Sequence, residues 1–497
     1  MAMMWGALML VVVPILFSEI KYVNAGNEHV EILKFLLIMN AIFICYFWLN
    51  GTKDIVYVLW FYLNKNKILH SQDFVQNYKV SQNKRVVMLY CTCNDFEPEP
   101  LRKCLKQSYP NVKTIILDDS SKSEYIDMVD KFAIDYNLEV VRRSDRVGFK
   151  AGNLNHYLKN KVDYDYFVIL DSDEIIPYDY VEKSLKYFEA YSNIGILQAN
   201  HISTRNTNKF MELFHIGVNS HWITYQSTKN MYGFMSLLGH GAMVSRECYE
   251  AAGGFPNVVA EDLCLSIERR SAGYYTGFAP EIICEEEYPV DYIAFKKRHN
   301  KWTQGNLEFI KRYTKRIISS NMKWFEKADI FLFTYNLPLT AFFSFYVIIN
   351  ILLLPLFKYK LHYPSWMLMP TAIFFIAPMI NDMVTYFKKI RIYSLLKYMF
   401  LVFVLYGSML YVSMKSSFLG LIGKKAIFIV TPKDQNQITL IQAIRAQKEE
   451  LTFARIMAFI SLKFDYSILP VALIVFPAII SVFLCMYSNT KEKKQVL

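Results

Sequence analysis

The apolar residues of this 497-residue chain are segregated along its length, and that constrains the fold more than any single motif. Long apolar runs crowd both ends: Trp5–Phe17 and Ile32–Leu49 at one, Ile330–Phe357, Trp366–Phe387, Leu395–Met414 and Tyr466–Tyr487 at the other. The stretch between them has the mixed composition of a soluble domain. The chain is 53% hydrophobic and 20% charged, against about 25% charged for an ordinary soluble domain. Disorder, collagen and coiled coil are excluded, and a membrane protein with one globular domain set between its spans remains. No Lys or Arg precedes Trp5–Phe17, as a signal peptide would require, so this run is expected to be a span although Val23-Asn24-Ala25 resembles a cleavage site.

The formal charge of +11 is concentrated beside the apolar runs, at Lys65, Lys67, Lys388, Lys389, Arg391, Lys424, Lys425, Lys433, Lys491, Lys493 and Lys494. This is the pattern of cytoplasmic loops, and no nucleic-acid partner is expected. The expected organisation is a two-span region over 1–75, a cytoplasmic domain over 80–320 and a transmembrane pair over 325–390. An interfacial helix and surface loop follow over 391–450, then one or two final spans with a basic tail over 451–497. Leu395–Met414 carries basic clusters on both flanks, which predicts an interfacial or re-entrant helix. Phe453–Phe464 is a short run able to pair with the last span. The eight cysteines are scattered, and Cys91 and Cys93 lack a second pair to complete a metal site, so reduced thiols are expected.

Within the middle domain strand and helix patterns alternate. Strands are expected at Arg85–Cys93, Lys113–Leu117, Leu138–Arg142 and Tyr166–Leu170, with helices at Pro100–Gln107 and Tyr125–Tyr136. Such alternation predicts an α/β domain with a mainly parallel, Rossmann-like sheet, whose ligands bind beyond the carboxyl ends of the strands. Three strands end there in polar clusters: Thr92-Cys93-Asn94-Asp95, Asp118-Asp119-Ser120-Ser121 and Asp171-Ser172-Asp173.

Asp171 and Asp173 put two carboxylates on one side of the chain, suited to Mg²⁺ or Mn²⁺ on a diphosphate, or equally to a solvated turn. Glu261-Asp262 stands before an amphipathic helix, where acids also serve as caps. Arg298, Lys301 and Trp302 read either as an interfacial anchor or as a cationic grip beside an aromatic platform for a sugar. Phe428–Lys433 is a short β-like run at the membrane surface.

Taken in order, Asp118-Asp119, Lys150-Ala151-Gly152-Asn153, Asp171-Ser172-Asp173, Glu261-Asp262 and Arg298-x-x-Lys301-Trp302 resemble the processive membrane glycosyltransferases of family 2. Cellulose synthase and hyaluronan synthase belong to that group. Phe428, Val430, Thr431 and Pro432 are similar to the gating loop of bacterial cellulose synthases. The resemblance implies a glycosyltransferase-A fold and a UDP-sugar donor, best UDP-glucose, polymerised into a β-linked extracellular or capsular polysaccharide that crosses the bilayer. It implies Thr92, Asn94, Asp118, Asp119, Lys150, Asp171, Arg298 and Lys301 around the nucleotide, and a metal on Asp171 and Asp173. Asp262 would be the general base beside Glu261, and Trp302 the acceptor platform.

The chain departs from the family pattern twice: Ala260 replaces a threonine before Glu261-Asp262, and Arg298 and Lys301 replace a glutamine and an arginine. The expected setting is a bacterial plasma membrane. The residues after Pro432 leave no room for a cyclic-dinucleotide barrel, so no cyclic-di-GMP control is expected. Two alternatives remain at this point: a single-transfer enzyme acting on a lipid carrier, and a nucleotide-binding transporter or receptor without chemistry.

Overall fold

The computed structural model describes residues 2–23, 29–424, 437–464 and 467–490. The middle of the chain folds around one seven-stranded sheet: β1 (Val86–Thr92), β2 (Val112–Asp118), β3 (Glu139–Val141), β4 (Tyr166–Leu170), β5 (Ile194–Ser203), β6 (Ala242–Ser245) and β7 (Tyr275–Glu286). Their spatial order is β3-β2-β1-β4-β6-β5-β7. The first four strands run parallel, β6 is antiparallel to both its neighbours, and β5 and β7 are parallel to each other.

Both faces of the sheet are buried, which is why β1 and β4 read as continuous apolar runs. Val86, Met88 and Tyr90 pack on one face with Val168 and Leu170. Val87 and Leu89 pack on the other with Phe167 and Ile169. Each fully buried side chain of this size contributes about 1.5–3 kcal/mol. Parallel pairing in register, Thr92 opposite Asp118 and Tyr90 opposite Leu170, brings the polar ends of β1, β2 and β4 to one edge.

Among the described residues, five helices are long and apolar enough to cross a membrane: Met3–Tyr22, Val30–Gln76, Ser365–Tyr386, Ile392–Leu421 and Leu469–Asn489. At about 1.5 Å per residue the second is about 70 Å long, more than twice the ~30 Å of hydrocarbon. It continues past its apolar half to the sheet domain, where Lys186 donates to the carbonyl of Gln76.

Ile330–Phe357 is not one unbroken helix: it divides into Trp324–Thr334, Asn336–Ile348, a π-helical turn at Ile349–Leu353 and the short piece Leu354–Leu356. The residues around Leu395–Met414 form a near-continuous helical stretch, Ile392–Leu421, itself long enough to span. Its inward face packs on the helix Tyr292–Ser319, where the Tyr292 and Ser408 hydroxyls bond at 2.7 Å and His299 lies 2.8 Å from the Ser413 hydroxyl.

Candidate active site

The edge formed by β1, β2 and β4 opens into a cavity of about 1920 Å³ that continues between the apolar helices. Its wall includes Thr92, Asn94, Asp119, Lys150, Asp171 and Asp173 from the sheet domain. Glu261, Asp262, Arg298, Lys301 and Trp302 complete the sheet-domain side, so the structure brings together these sequence-predicted residues. Asp118 is not among the lining residues. The Phe428–Pro432 segment lies outside the described residues.

At the end of β1, Asp95 accepts hydrogen bonds from the Thr92 hydroxyl (3.0 Å), the Cys93 N–H (2.7 Å) and the Ser172 hydroxyl (2.7 Å). It thereby ties β1 to the turn after β4. Asn94 sits in the left-handed region, φ 58°, a conformation that asparagine tolerates. Its side-chain Oδ1 accepts from the N–H groups of Ser121 and Lys122, which fixes the loop after β2.

Asp118 and Asp119 are paired with arginines. Asp118 is buried and accepts from Arg142 at 2.7 Å. Asp119 takes a two-pronged bond from Arg143, at 2.9 and 2.6 Å. The planar guanidinium matches a carboxylate in this way, and Arg143 also donates to the Val147 and Phe149 carbonyls, pinning the loop before Lys150. Sequence reasoning missed these partners. A signal was present, since Arg142-Arg143 follows a strand that lies parallel beside β2 and so ends at the same edge.

Lys150, in the first turn of the helix Phe149–Asn160, pairs with Asp171 and donates to the Gly239 carbonyl at 2.8 Å. Burial alone would depress the Lys150 ammonium, but Asp171 outweighs it and raises the group above its ordinary value. Burial would likewise raise Asp171, and the charges of Lys150 and His240 hold it below the usual carboxylate range. Asp173 accepts from the Glu287 N–H at 3.2 Å, and its backbone carbonyl accepts from Arg205. Asp171 and Asp173, spaced i and i+2 on one turn, are the hard-oxygen donors that could hold Mg²⁺ or Mn²⁺.

Behind this turn lies a brace that the sequence did not reveal. Glu174 is fully buried. It accepts from the N–H groups of Asp171 (3.3 Å) and Gly241 (3.0 Å), with the His201 ring 2.8 Å away and His240 at 3.4 Å. Burial opposes its charge, yet His240 and His201 hold it down at about 2. Burial would also lower His240, but Glu174, Asp171 and Glu286 push it up to about 10. Glu174, His201 and Cys284 bring possible ligand atoms within 4.8 Å of one another, but the carboxylate already serves this hydrogen-bond network.

Glu261 and Asp262 occupy the first turn of the helix Glu261–Ser271. Burial raises both carboxyls, and the Asp262 charge raises Glu261 further. Asp262 accepts from the Leu263 N–H at 2.7 Å. A Cβ on Gly239, whose φ is +97°, would lie 3.4 Å from the Asp262 carboxylate, so this loop abuts the acid closely. The helix start at Ala260 has no side-chain cap. Ala260→Ser supplies the missing acceptor and is expected to stabilise the protein by about 0.5–1 kcal/mol, read as a higher unfolding temperature in detergent.

Lys301 and Trp302 project from the helix Tyr292–Ser319. Burial lowers the Lys301 ammonium, partly offset by Asp171 and Glu261. Trp302 is 46% exposed at the cavity wall, with the Arg298 guanidinium 4.7 Å above its ring. Further along, the wall is built from the apolar helices and includes Asn336, Asn381, Asp382, Tyr398 and Tyr406. The sequence offers Tyr335, Asn336, Asn350, Trp366, Asn381, Asp382 and Tyr386 as aromatic and polar candidates for such a wall; of these, Tyr335, Asn350, Trp366 and Tyr386 do not line it. Asp382 is held by the Ser220 hydroxyl and by Tyr398 at 2.7 Å, whereas the Asn381 side-chain carbonyl is buried without a partner.

Residues 166–406 match the family model described as glycosyl transferase family group 2. A probable glucomannan 4-beta-mannosyltransferase of Arabidopsis thaliana is 25% identical over 276 residues, covering 52% of this chain and 51% of that protein. The beta-monoglucosyldiacylglycerol synthase of Synechocystis sp. is 28% identical over 233 residues, covering 46% and 48%. The chain thus spans about half the length of these curated relatives. Among solved structures, a mannosyltransferase from Pyrobaculum calidifontis in complex with GDP-Man and Mn²⁺ is 17% identical, with 75% of this chain and 99% of that chain covered and a TM-score of 0.42.

Proposed function

We propose that this protein is an inverting, processive glycosyltransferase that builds a β-linked polysaccharide from a UDP-sugar, UDP-glucose first, and passes it across the membrane. The observation that carries the reading is the continuity of one cavity from Asp171, Asp173 and Asp262 to the apolar helices. A sugar polymer is too polar to cross about 30 Å of hydrocarbon unaided, and a helix-walled passage beside the site of addition answers that need.

In this reading Asp262 removes the proton from the acceptor hydroxyl as that oxygen attacks the anomeric carbon and UDP departs. Burial keeps the carboxylate basic enough for the task. A single displacement inverts configuration, so an α-linked donor gives a β-linked product. Lys150 and Lys301 set positive charge where the leaving diphosphate gains negative charge, which is electrostatic stabilisation of the transition state. Mg²⁺ or Mn²⁺ held by Asp171 and Asp173 would supply further charge neutralisation on the diphosphate. Trp302 offers its exposed face to the acceptor sugar.

A second reading is transfer of one sugar to a lipid acceptor, favoured by the apolar residues Phe43, Phe47 and Phe374 in the same cavity wall and compatible with the glucosyldiacylglycerol synthase relative. The two are separated by sizing the product made by the purified protein in detergent. High-molecular-weight material that a β-specific glycosidase degrades is expected. A product that partitions wholly into organic solvent would establish the lipid reading instead. EDTA is expected to abolish turnover and Mn²⁺ to restore it.

A further inference from the structure

Arg298 is the residue at which the chemistry of the cavity is least accounted for. Lys53, Lys229 and Lys150 also line the cavity, and each faces a carboxylate: Asp54, Asp329 and Asp171. Arg298 faces none. Among the described residues no carboxylate lies within ion-pair distance of it, and its Nε is buried without a hydrogen-bond partner. Three aromatic rings surround the guanidinium instead, Trp302 at 4.7 Å, Tyr288 at 5.2 Å and Phe295 at 5.6 Å. The nearby membrane acid Asp382 is already engaged by Ser220 and Tyr398.

The side chain is half-buried: the ring faces stabilise the guanidinium on one side, and as a cavity-lining group with no carboxylate beside it, it can donate to an oxyanion that enters. Its place on the helix decides which ligand group it meets. Lys301 is held near Asp171 and Glu261, on the donor side. Arg298, one turn earlier on the face of Trp302, stands among Tyr288 and Phe295, which pack with Leu395, Tyr398 and Val402 of the membrane helices. In the proposed reading this is the side from which an acceptor would reach Trp302.

We propose that Arg298 recognises an anionic group, carboxylate or phosphate, borne by the acceptor on the membrane side of its reacting hydroxyl. The charged group then belongs to the primer on which the first sugar is placed: a glycan carrying an acidic sugar, or a lipid carrying a phosphate. The two share the chemistry of an oxyanion that accepts from a guanidinium. This inference rests on the glycosyltransferase reading of the site, and it names the acceptor class for that same site.

The test compares matched acceptors with the purified full-length protein and a panel of UDP-sugars. One pair is cellotetraose against the same oligomer ending in glucuronate. The other is dioleoylglycerol against dioleoyl phosphatidic acid in mixed micelles. The wild type is expected to favour the charged member of one pair by roughly 10- to 100-fold in kcat/KM, the range of one hydrogen bond to a charged group. The pair that shows the preference identifies the source of the anion. Arg298→Gln is expected to collapse the preference to within about threefold and Arg298→Lys to retain part of it, since lysine keeps the charge but loses the planar fork.

Equal transfer to neutral and charged acceptors by the wild type overturns the inference without needing any variant, as does a preference that survives Arg298→Gln. Acceptor-independent release of UDP is measured alongside. Release accompanied by equal transfer defeats this inference alone, whereas no release with any donor defeats the glycosyltransferase reading and this inference with it.

Discussion

Asp262→Asn is expected to lower kcat by roughly 10²–10⁴-fold, the ordinary worth of a positioned general base. Asparagine has nearly the same shape and still accepts from the Leu263 N–H, so the helix start persists while the proton acceptor is lost. The bond to the acceptor proton strengthens only in the transition state, so kcat and kcat/KM fall together. The pH profile gives an independent reading. The base works deprotonated, and burial holds its carboxyl above the ordinary value of about 3.9. Wild-type activity is therefore expected to fall on acidification from a higher pH than an exposed aspartate would produce. That acid limb is expected to disappear from the residual activity of Asp262→Asn. A variant with near-normal kcat would remove Asp262 from the mechanism.

Glu174→Ala is the second large effect. The side chain is fully buried and serves the N–H groups of Asp171 and Gly241 together with His201 and His240. Its removal strands two histidines and two N–H groups at once. Removing one partner of a buried charged pair costs about 3–5 kcal/mol, so a large drop in unfolding temperature is expected. Glu174→Gln keeps an acceptor but loses the charge that faces His240, and is expected to fall between the two. The same lesion loosens the turn that carries Asp171 and Asp173, so nucleotide affinity is expected to weaken in parallel. Unchanged stability in Glu174→Ala would show that the brace is dispensable. Gly241 belongs to the same construction: at φ +56°, a Cβ there would stand 2.3 Å from both the Glu174 carboxylate and the His201 ring.

The parallel half of the sheet was legible because its strands are buried on both faces and announce themselves as apolar runs. Tyr166–Leu170 is observed as read, and Arg85–Cys93 and Lys113–Leu117 differ from β1 and β2 by a residue or so at each end. The other half was not. β5 and β7 carry polar residues such as Gln198, Asn200 and His201 that are buried by pairing and hydrogen bonding, which hides them from hydropathy. β6 has four residues and enters antiparallel, so nothing in its own sequence marks its place.

The candidate site divides in the same way. Residues at strand ends, Thr92, Asp119, Asp171 and Asp173, were visible as polar clusters after apolar runs. His201 lies on β5 and His240 in the loop just before β6, and neither strand stands out in the hydropathy. In the apolar half, apolar length carries no sign of the break at Tyr335 or of the π-helical segment Ile349–Leu353 within Ile330–Phe357.

The central claim is chemistry at the end of β4 and at Asp262, and the most direct measurement is UDP release by the purified protein in detergent with Mn²⁺ across a panel of UDP-sugars. The account predicts turnover with one donor, lost on chelation and lost in Asp262→Asn. UDP binding without turnover for every donor, or turnover that Asp262→Asn leaves intact, would contradict it.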